Sequence, residues 1–306
     1  MRPRVVIIVL NWNGMGVTLD CLVSVKGLDY PNYEVVVVDN GSTDGSVEKV
    51  RMQFPGALLI ENGQNLGFTG GNNVGLRYAL SRGADYALLL NNDTEVAPDL
   101  LSHLVGAAED NRAVGIAGPT IYYHQQGDRI WTSGGAIDWR RGETSMLGQN
   151  EVDSGQFGSA PRGVDFVTGC ALLVSRTVME QVGLLDERFF AYYEEAEWCV
   201  RAGRVGLKVV HVPAAKVWHK IPMDARDSSP FVHYYMTRNR LLFLKVTRCG
   251  WQAWIYTLFQ YTRTIFSWTL KPRWRHKRLH RLAMFRAIAD AGRGCWGQQA
   301  RAAGRA

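Results

Sequence analysis

The chain has 306 residues, 46% apolar and 21% charged, with 32 glycines and ten prolines. That is the make-up of one large or two ordinary globular domains; it excludes a disordered chain, a collagen-like repeat and a small disulfide scaffold. The net charge of +7 is unevenly held: positions 231–306 carry fifteen Lys/Arg against one acid, Asp290, so an enzyme-like body over 1–230 is expected to precede a helical, basic region over 231–306 suited to an anionic surface.

The amino-terminal MRPRVVIIVLNWNG holds an apolar run of six residues, too short for a secretion signal or a span, and reads as a buried strand over 5–10. Five scattered cysteines without a CxxC pair fit a reducing compartment, so the expected location is the cytoplasm. A helix over 18–26 leads to a second strand at 34–40. Strands at 57–62 and 86–93 follow, with a helix over 70–83 between them. This alternation predicts a doubly wound α/β sheet, in which ligands bind beyond the carboxyl ends of the strands. Those ends carry Asn11, Asp39, Asn62 and the run Asn91-Asn92-Asp93. No GxGxxG or GxxxxGK[ST] occupies the first strand–helix turn, which argues against a nicotinamide cofactor or a P-loop. Positions 121–165 are Gly-rich and predict hairpins and a mobile loop. A strand over 164–176, a helix from Arg176, a loop through FFAYYEE, a helix over 195–203 and a last strand over 208–220 complete the body. After Pro230 the pattern is helical.

Four segments could carry chemistry. In VVVVDNGSTDGS, Asp39 could accept hydrogen bonds from a base or ribose, or could simply belong to a strand–turn–helix junction capped by Ser42 or Asp44. In LLLNNDTEV, Asp93 beside Asn91 suits a hard divalent cation that keeps positions for phosphate oxygens, or else an Asx-turn. In FFAYYEEAEW, the acids sit in a first helical turn, where the macrodipole favours them, behind aromatics that could form a sugar-sized pocket. Glu194, Glu197 and Trp198 share one helical face and Glu195 another, so the acids are not interchangeable. In VWHK, His219 is either structural or the completion of a metal site begun by Asp93.

Taken in order, IVLNWNG, VVDNGSTDGS, NLGFTGGNNVG, LLLNNDTEV, VTGCALLVSR, GLLDERFFAYYEEAEWCVRAGRVG and VWHK resemble the family-2 glycosyltransferases of the GT-A fold, nearest in pattern to rhamnosyltransferase-like and galactofuranosyltransferase-like enzymes. The resemblance covers about 4–245 and includes HYYMTRNR. It implies a Rossmann-like mixed sheet flanked by helices, and an inverting, metal-dependent hexosyltransferase. Mg²⁺ or Mn²⁺ would be the cofactor, and a dTDP- or UDP-linked sugar the donor, with dTDP-rhamnose first. The acceptor would be a glycan or lipid-linked sugar in cell-surface polysaccharide synthesis. It further implies Glu195 as catalytic base, although Asp is more usual there. Asp93 and His219 would meet the metal. Asn11, Asp39, Asn65, Gly67, Asn91 and Asn92 would line the nucleotide-sugar pocket, with Asn91 replacing the first acid of the family's DxD motif.

The segment WQAWIYTLFQYTRTIFSWTL (251–270) has seven aromatics and one charge, and KPRWRHKRLHR (271–281) has six Lys/Arg. A helical projection puts Trp251, Trp254, Ile255, Leu258, Tyr261, Ile265 and Phe266 on one side. Such a face suits a membrane interface rather than a span, or a packing face on the body. The expected place is therefore peripheral, on the inner face of the cell membrane. A non-catalytic sugar- or lipid-binding subunit and a nucleotidyltransferase are the rival functions, and no nucleic-acid partner is expected.

Overall fold

The computed structural model describes residues 2–223 and 229–299. Its first half runs β1 (Val5–Asn11), α1 (Met15–Lys26), β2 (Tyr33–Asp39), α2 (Ser46–Gln53), β3 (Leu58–Glu61), α3 (Gly67–Ser81) and β4 (Tyr86–Asn91). These four strands are parallel in the order β3-β2-β1-β4. Strand residues point alternately to opposite faces, so Val5, Ile7 and Val9 enter one core while Val6 and Ile8 enter the other. Both faces are covered, which is why β1 and β2 read as unbroken β-branched runs. Cys21, Leu22 and Val25 of α1 pack in the first core, and Leu76 and Ala79 of α3 in the second.

The second half adds β5 (Thr94–Val96), α4 (Leu100–Asp110), β6 (Val114–Tyr123), β7 (Ile130–Thr132), β8 (Gly135–Asp138), β9 (Glu143–Met146), β10 (Arg162–Gly163), β11 (Ala171–Ser175), α5 (Arg176–Gln181), α6 (Glu194–Arg204) and β12 (Lys208–His219). β11 runs antiparallel to both β4 and β6, and β6 lies parallel to β12, giving a ten-stranded mixed sheet. The expected α/β class with helices on both faces is the observed one.

Two elements differ from the sequence expectation. β6, buried along all ten residues, falls across the join between the alternating half and the stretch read as hairpins. Gly115, Gly118 and Pro119 hide it, since a proline inside a run argues against a central strand. Pro119 is tolerated because its partner strand breaks register there: Val212 pairs with Pro119 and Lys216 with Thr120. The strand expected over 164–176 is shorter, confined to β11.

The helices α7 (Pro230–Val246), α8 (Trp251–Leu270) and α9 (Arg278–Arg293) follow. The expected division at 230 coincides with the start of α7, but α7 is not separate from the body: Leu242, Phe243 and Leu244 lie in the second core with Trp198 and Leu172. The single apolar side expected on α8 is in fact two faces. Trp254, Tyr261 and Ile265 pack with Leu241 and Met284. Trp251, Ile255, Leu258, Phe259, Phe266 and Leu270 form a separate stripe, each 47–72% exposed.

Because α7 completes the sheet's core, Phe243→Ala is expected to lower the stability of one cooperative unfolding transition by about 3–5 kcal/mol in urea. Two transitions, with the larger one unshifted, would show instead that the body folds without α7.

Candidate active site

The parallel register delivers a row of polar strand ends. Asn11 pairs with Asp39 across β1 and β2, Asp39 with Glu61 across β2 and β3, and Leu10 with Asn91 across β1 and β4. Asn11 is 1% exposed and forms the hub of this edge. The two hydrogens on its Nδ2 are shared among Asp39 Oδ1 at 2.7 Å, Ser46 Oγ at 2.8 Å and Ser42 Oγ at 3.0 Å. Its Oδ1 accepts from Thr18 Oγ1 at 2.8 Å and Asn92 Nδ2 at 3.2 Å. Asn92 is thereby turned toward the β1–α1 junction, where it also donates to Thr18 Oγ1 at 2.8 Å.

The buried Asp39 carboxylate accepts four hydrogen bonds. Two come from Asn11 Nδ2 and Ser42 Oγ, the latter at 2.5 Å; the others come from the backbone N–H groups of Gly41 and Ser42 at 3.0 and 2.8 Å. An ionised carboxylate has about four lone-pair sites, so Asp39 meets a base or ribose only by exchanging one of these bonds. Asn40, which no local pattern in the same motif sets apart, links this turn to the next: it donates to Gly67 O at 2.9 Å and accepts from Asn62 Nδ2 at 2.9 Å.

Asn65 Oδ1 accepts from the Gly67 N–H at 2.8 Å. Gly67 has φ +74°, and a Cβ there would stand 2.5 Å from both the ring and the carbonyl oxygen of Phe190. Only glycine permits that approach. It brings the loop before α6 against the start of α3, where Thr69 N–H donates to Phe190 O at 3.2 Å. A cavity of about 690 Å³ opens beside this contact, lined by Trp12, Asn65, Phe190, Tyr235, Arg238 and Trp296 among others.

Asp93 follows β4 and is joined to His219, 126 residues away, by a 3.1 Å hydrogen bond between Oδ1 and Nε2. The β5–β12 ladder makes this contact, since Thr94 pairs directly with His219. Burial alone would raise the Asp93 carboxyl, but the His219 hydrogen bond and charge, with Lys220 behind them, outweigh it and hold the group below its ordinary range. His219 is buried, its Nδ1 has no protein partner, and its ring lies edge-on to Trp131 at 4.7 Å. Nothing in the sequence marked Trp131. Among the described residues no three His, Cys, Asp or Glu side chains come together as a metal cage. One carboxylate and one imidazole nonetheless fit a hard divalent ion whose other ligands are phosphate oxygens and water.

The three acids of α6 have different surroundings. Glu197 is buried in an ion pair with Arg201 Nε at 2.8 and 2.9 Å, and Arg201 goes on to the carbonyls of Val182 and Leu184. That makes Glu197 a structural anchor, as does Trp198, whose indole N–H donates to Gly183 O at 2.8 Å. Glu194 is buried and Glu195 half-buried, and each has an Oε2 that is shielded from water and lacks a protein partner. Burial pushes both carboxyls up, Glu194 well above its ordinary value because the Glu195 charge adds to the effect. A pair of carboxyls raised in this way at a helix start holds a proton more readily than a carboxylate in water, the property a general base needs.

A family model, Glycosyl transferase family 2, matches residues 5–183. The chain is 31% identical over 214 residues to a low-salt glycan biosynthesis hexosyltransferase of Haloferax volcanii, a match covering 68% of this chain and 66% of the relative, just under two thirds of its length. It is 27% identical over 256 residues to the N-acetylglucosaminyl-diphospho-decaprenol L-rhamnosyltransferase of Mycobacterium tuberculosis, covering 78% and 79%. In fold it is similar to a mannosyltransferase of Pyrobaculum calidifontis solved with GDP-Man and Mn²⁺, with a TM-score of 0.59 at 16% identity over 95% of this chain and 87% of that one. With the polar strand ends gathered at one edge of a GT-A sheet, the chain belongs to glycosyl transferase family 2.

Proposed function

We propose that this protein transfers a hexose, rhamnose first, from a dTDP- or UDP-linked donor to a glycan on a lipid carrier, inverting the anomeric centre. The observation that carries the reading is the Asp93–His219 contact at the carboxyl edge of the sheet, beside the Asn11-centred turns. The names of the Haloferax and Mycobacterium relatives, a hexosyltransferase and a lipid-diphosphate rhamnosyltransferase, support the donor and acceptor classes. Asn11 and Asp39 shape the turn beneath the nucleotide. Asn65, Gly67, Asn91 and Asn92 complete the wall around the donor. Asp93 and His219 would hold a divalent cation, which when bound offsets the charge growing on the diphosphate. The acceptor oxygen attacks the anomeric carbon from the face opposite the diphosphate. Its proton passes to Glu195, and the bond from that carbon to the diphosphate breaks with its electron pair leaving on the diphosphate.

The exposed stripe on α8 supports a peripheral place on an anionic membrane. No helix among the described residues is long and apolar enough to cross a bilayer. Six large apolar side chains instead face water along one helix, followed by a basic run in which Lys271, Arg273, Arg275 and Arg278 are exposed. Apolar insertion with basic flanks is the composition of an interfacial helix, each cation adding roughly 1 kcal/mol near an anionic leaflet.

Thermal shifts with a panel of nucleotide sugars, with Mn²⁺ and with EDTA, test the donor. Stabilisation by dTDP- or UDP-sugars that EDTA removes is expected, and Asp93→Asn should lose it. Glu195→Gln should keep the shift and lower turnover about 10²–10⁴-fold. Equal stabilisation by NAD, or near-normal turnover in Glu195→Gln beside an inactive Glu194→Gln, would contradict the assignments.

Sedimentation with anionic vesicles tests the surface. The intact protein should pellet with phosphatidylglycerol vesicles and less so in high salt, and Ile255→Glu with Phe259→Glu should stay in solution. Equal pelleting of the double variant would remove α8 from the interface.

A further inference from the structure

α7 carries three consecutive buried polar residues, Thr237, Arg238 and Asn239, beside its most apolar stretch. The two N–H hydrogens of the Asn239 side-chain amide are shared among three backbone carbonyls: Phe189 at 2.8 Å, Ala191 at 2.6 Å and Tyr192 at 2.9 Å. Arg238 fixes which way that amide faces, because its Nε and one terminal nitrogen donate to Asn239 Oδ1 at 3.0 and 2.9 Å. The same guanidinium reaches the carbonyls of Arg188 at 3.2 Å, Phe189 at 3.0 Å and Gly297 at 2.6 Å, and lies over the rings of Tyr235 and Tyr234 at 4.8 and 5.4 Å.

All but one of these carbonyls belong to the loop that leads into α6, and that loop is strained. Phe190, Tyr192 and Tyr193 have φ of +66°, +71° and +76°. Bulky side chains rarely adopt this left-handed region, because Cβ crowds the following carbonyl. Tyr193 is the N-cap of α6, and Glu194 and Glu195 come immediately after it. Strain of this kind persists only where neighbouring structure over-determines it. Here the Asn239 amide, held in a single orientation, grips the loop at three carbonyls from one side, with Arg238 beside it and the Thr69 N–H on the Phe190 carbonyl.

We propose that Asn239, oriented by Arg238, is a positioning residue for the base: by gripping the strained loop it sets the direction in which Glu195 leaves the start of α6. The proposal rests on the reading of Glu195 given above. It gives the carboxyl-terminal helices a part in the chemistry that membrane attachment alone does not require. Asn239→Ala removes both N–H donors. Asn239→Asp keeps the shape but donates none, and Asn239→Ser, the mildest change, keeps one donor.

Two measurements test the clamp. Hydrogen–deuterium exchange of the free protein should show the amides of 189–195 exchanging about tenfold faster in the variants, with the rest of the sheet unchanged. Transfer from dTDP-rhamnose to a polyprenyl-diphosphate-linked sugar, scaled to donor-binding sites, should show kcat lower by about 10–100-fold in Ala and Asp and less in Ser. Donor affinity should hold within about twofold. Loosening the loop admits water to Glu195, lowers its raised pKa, and so moves the acid limb of kcat to lower pH. Normal kcat per donor site in Asn239→Ser, or in Asn239→Ala where it folds, overturns the proposal. So does a loss of kcat with the acid limb unmoved, which would leave Asn239 a folding role only. A wild-type chain that transfers no sugar, while the variants still exchange faster at 189–195, would fault the functional reading and leave the clamp standing.

Discussion

The carboxyl edge of the sheet depends on one buried amide. Asn11 ends β1, and through its five hydrogen bonds it fixes the β2 turn, the start of α1 and the turn after β4 relative to one another. A buried amide left without partners is costly, so the turns on either side cannot drift apart without losing several bonds together. This gives the proposed donor site a rigid floor before any ligand arrives.

The other half of the site rests on a different device. The loop before α6 meets the donor side through the close approach of Phe190 to Gly67, and from behind it is gripped by α7. The two proposed reactive centres thus have separate supports. Asp93 is set by a strand ladder to β12, and the Glu194–Glu195 pair by a strained loop. The buried guanidinium of Arg238 is matched to carbonyls and aromatic faces. An arrangement of this kind suits a group that fixes backbone rather than one that moves protons.

Much of this was legible from residue order. β1 and β2 announced themselves because strands buried on both faces are continuously β-branched, and the polar ends followed from the rule that such sheets bind ligands at that edge. The asymmetry of the α6 acids was also visible, since helical spacing alone separates Glu195 from Glu194 and Glu197. β6 was hidden by Pro119, whose acceptance depends on a register break in β12 that no local pattern reveals. The two faces of α8 were merged because periodicity shows that a stripe is apolar but not whether a neighbour covers it. The pairing of Asp93 with His219 and the grip of Asn239 are long-range facts. Their residues could be nominated one by one, but only the fold joins them.

The proposed reaction is a single displacement in which Glu195 takes the acceptor's proton and no sugar–enzyme bond forms. The anomeric configuration of the first product, read by NMR from the one-bond carbon–proton coupling at the transferred sugar, tests it most directly. A configuration opposite to that of the donor is expected, from the wild-type protein and from the residual activity of Glu195→Gln alike. Retention of the donor's configuration would contradict it.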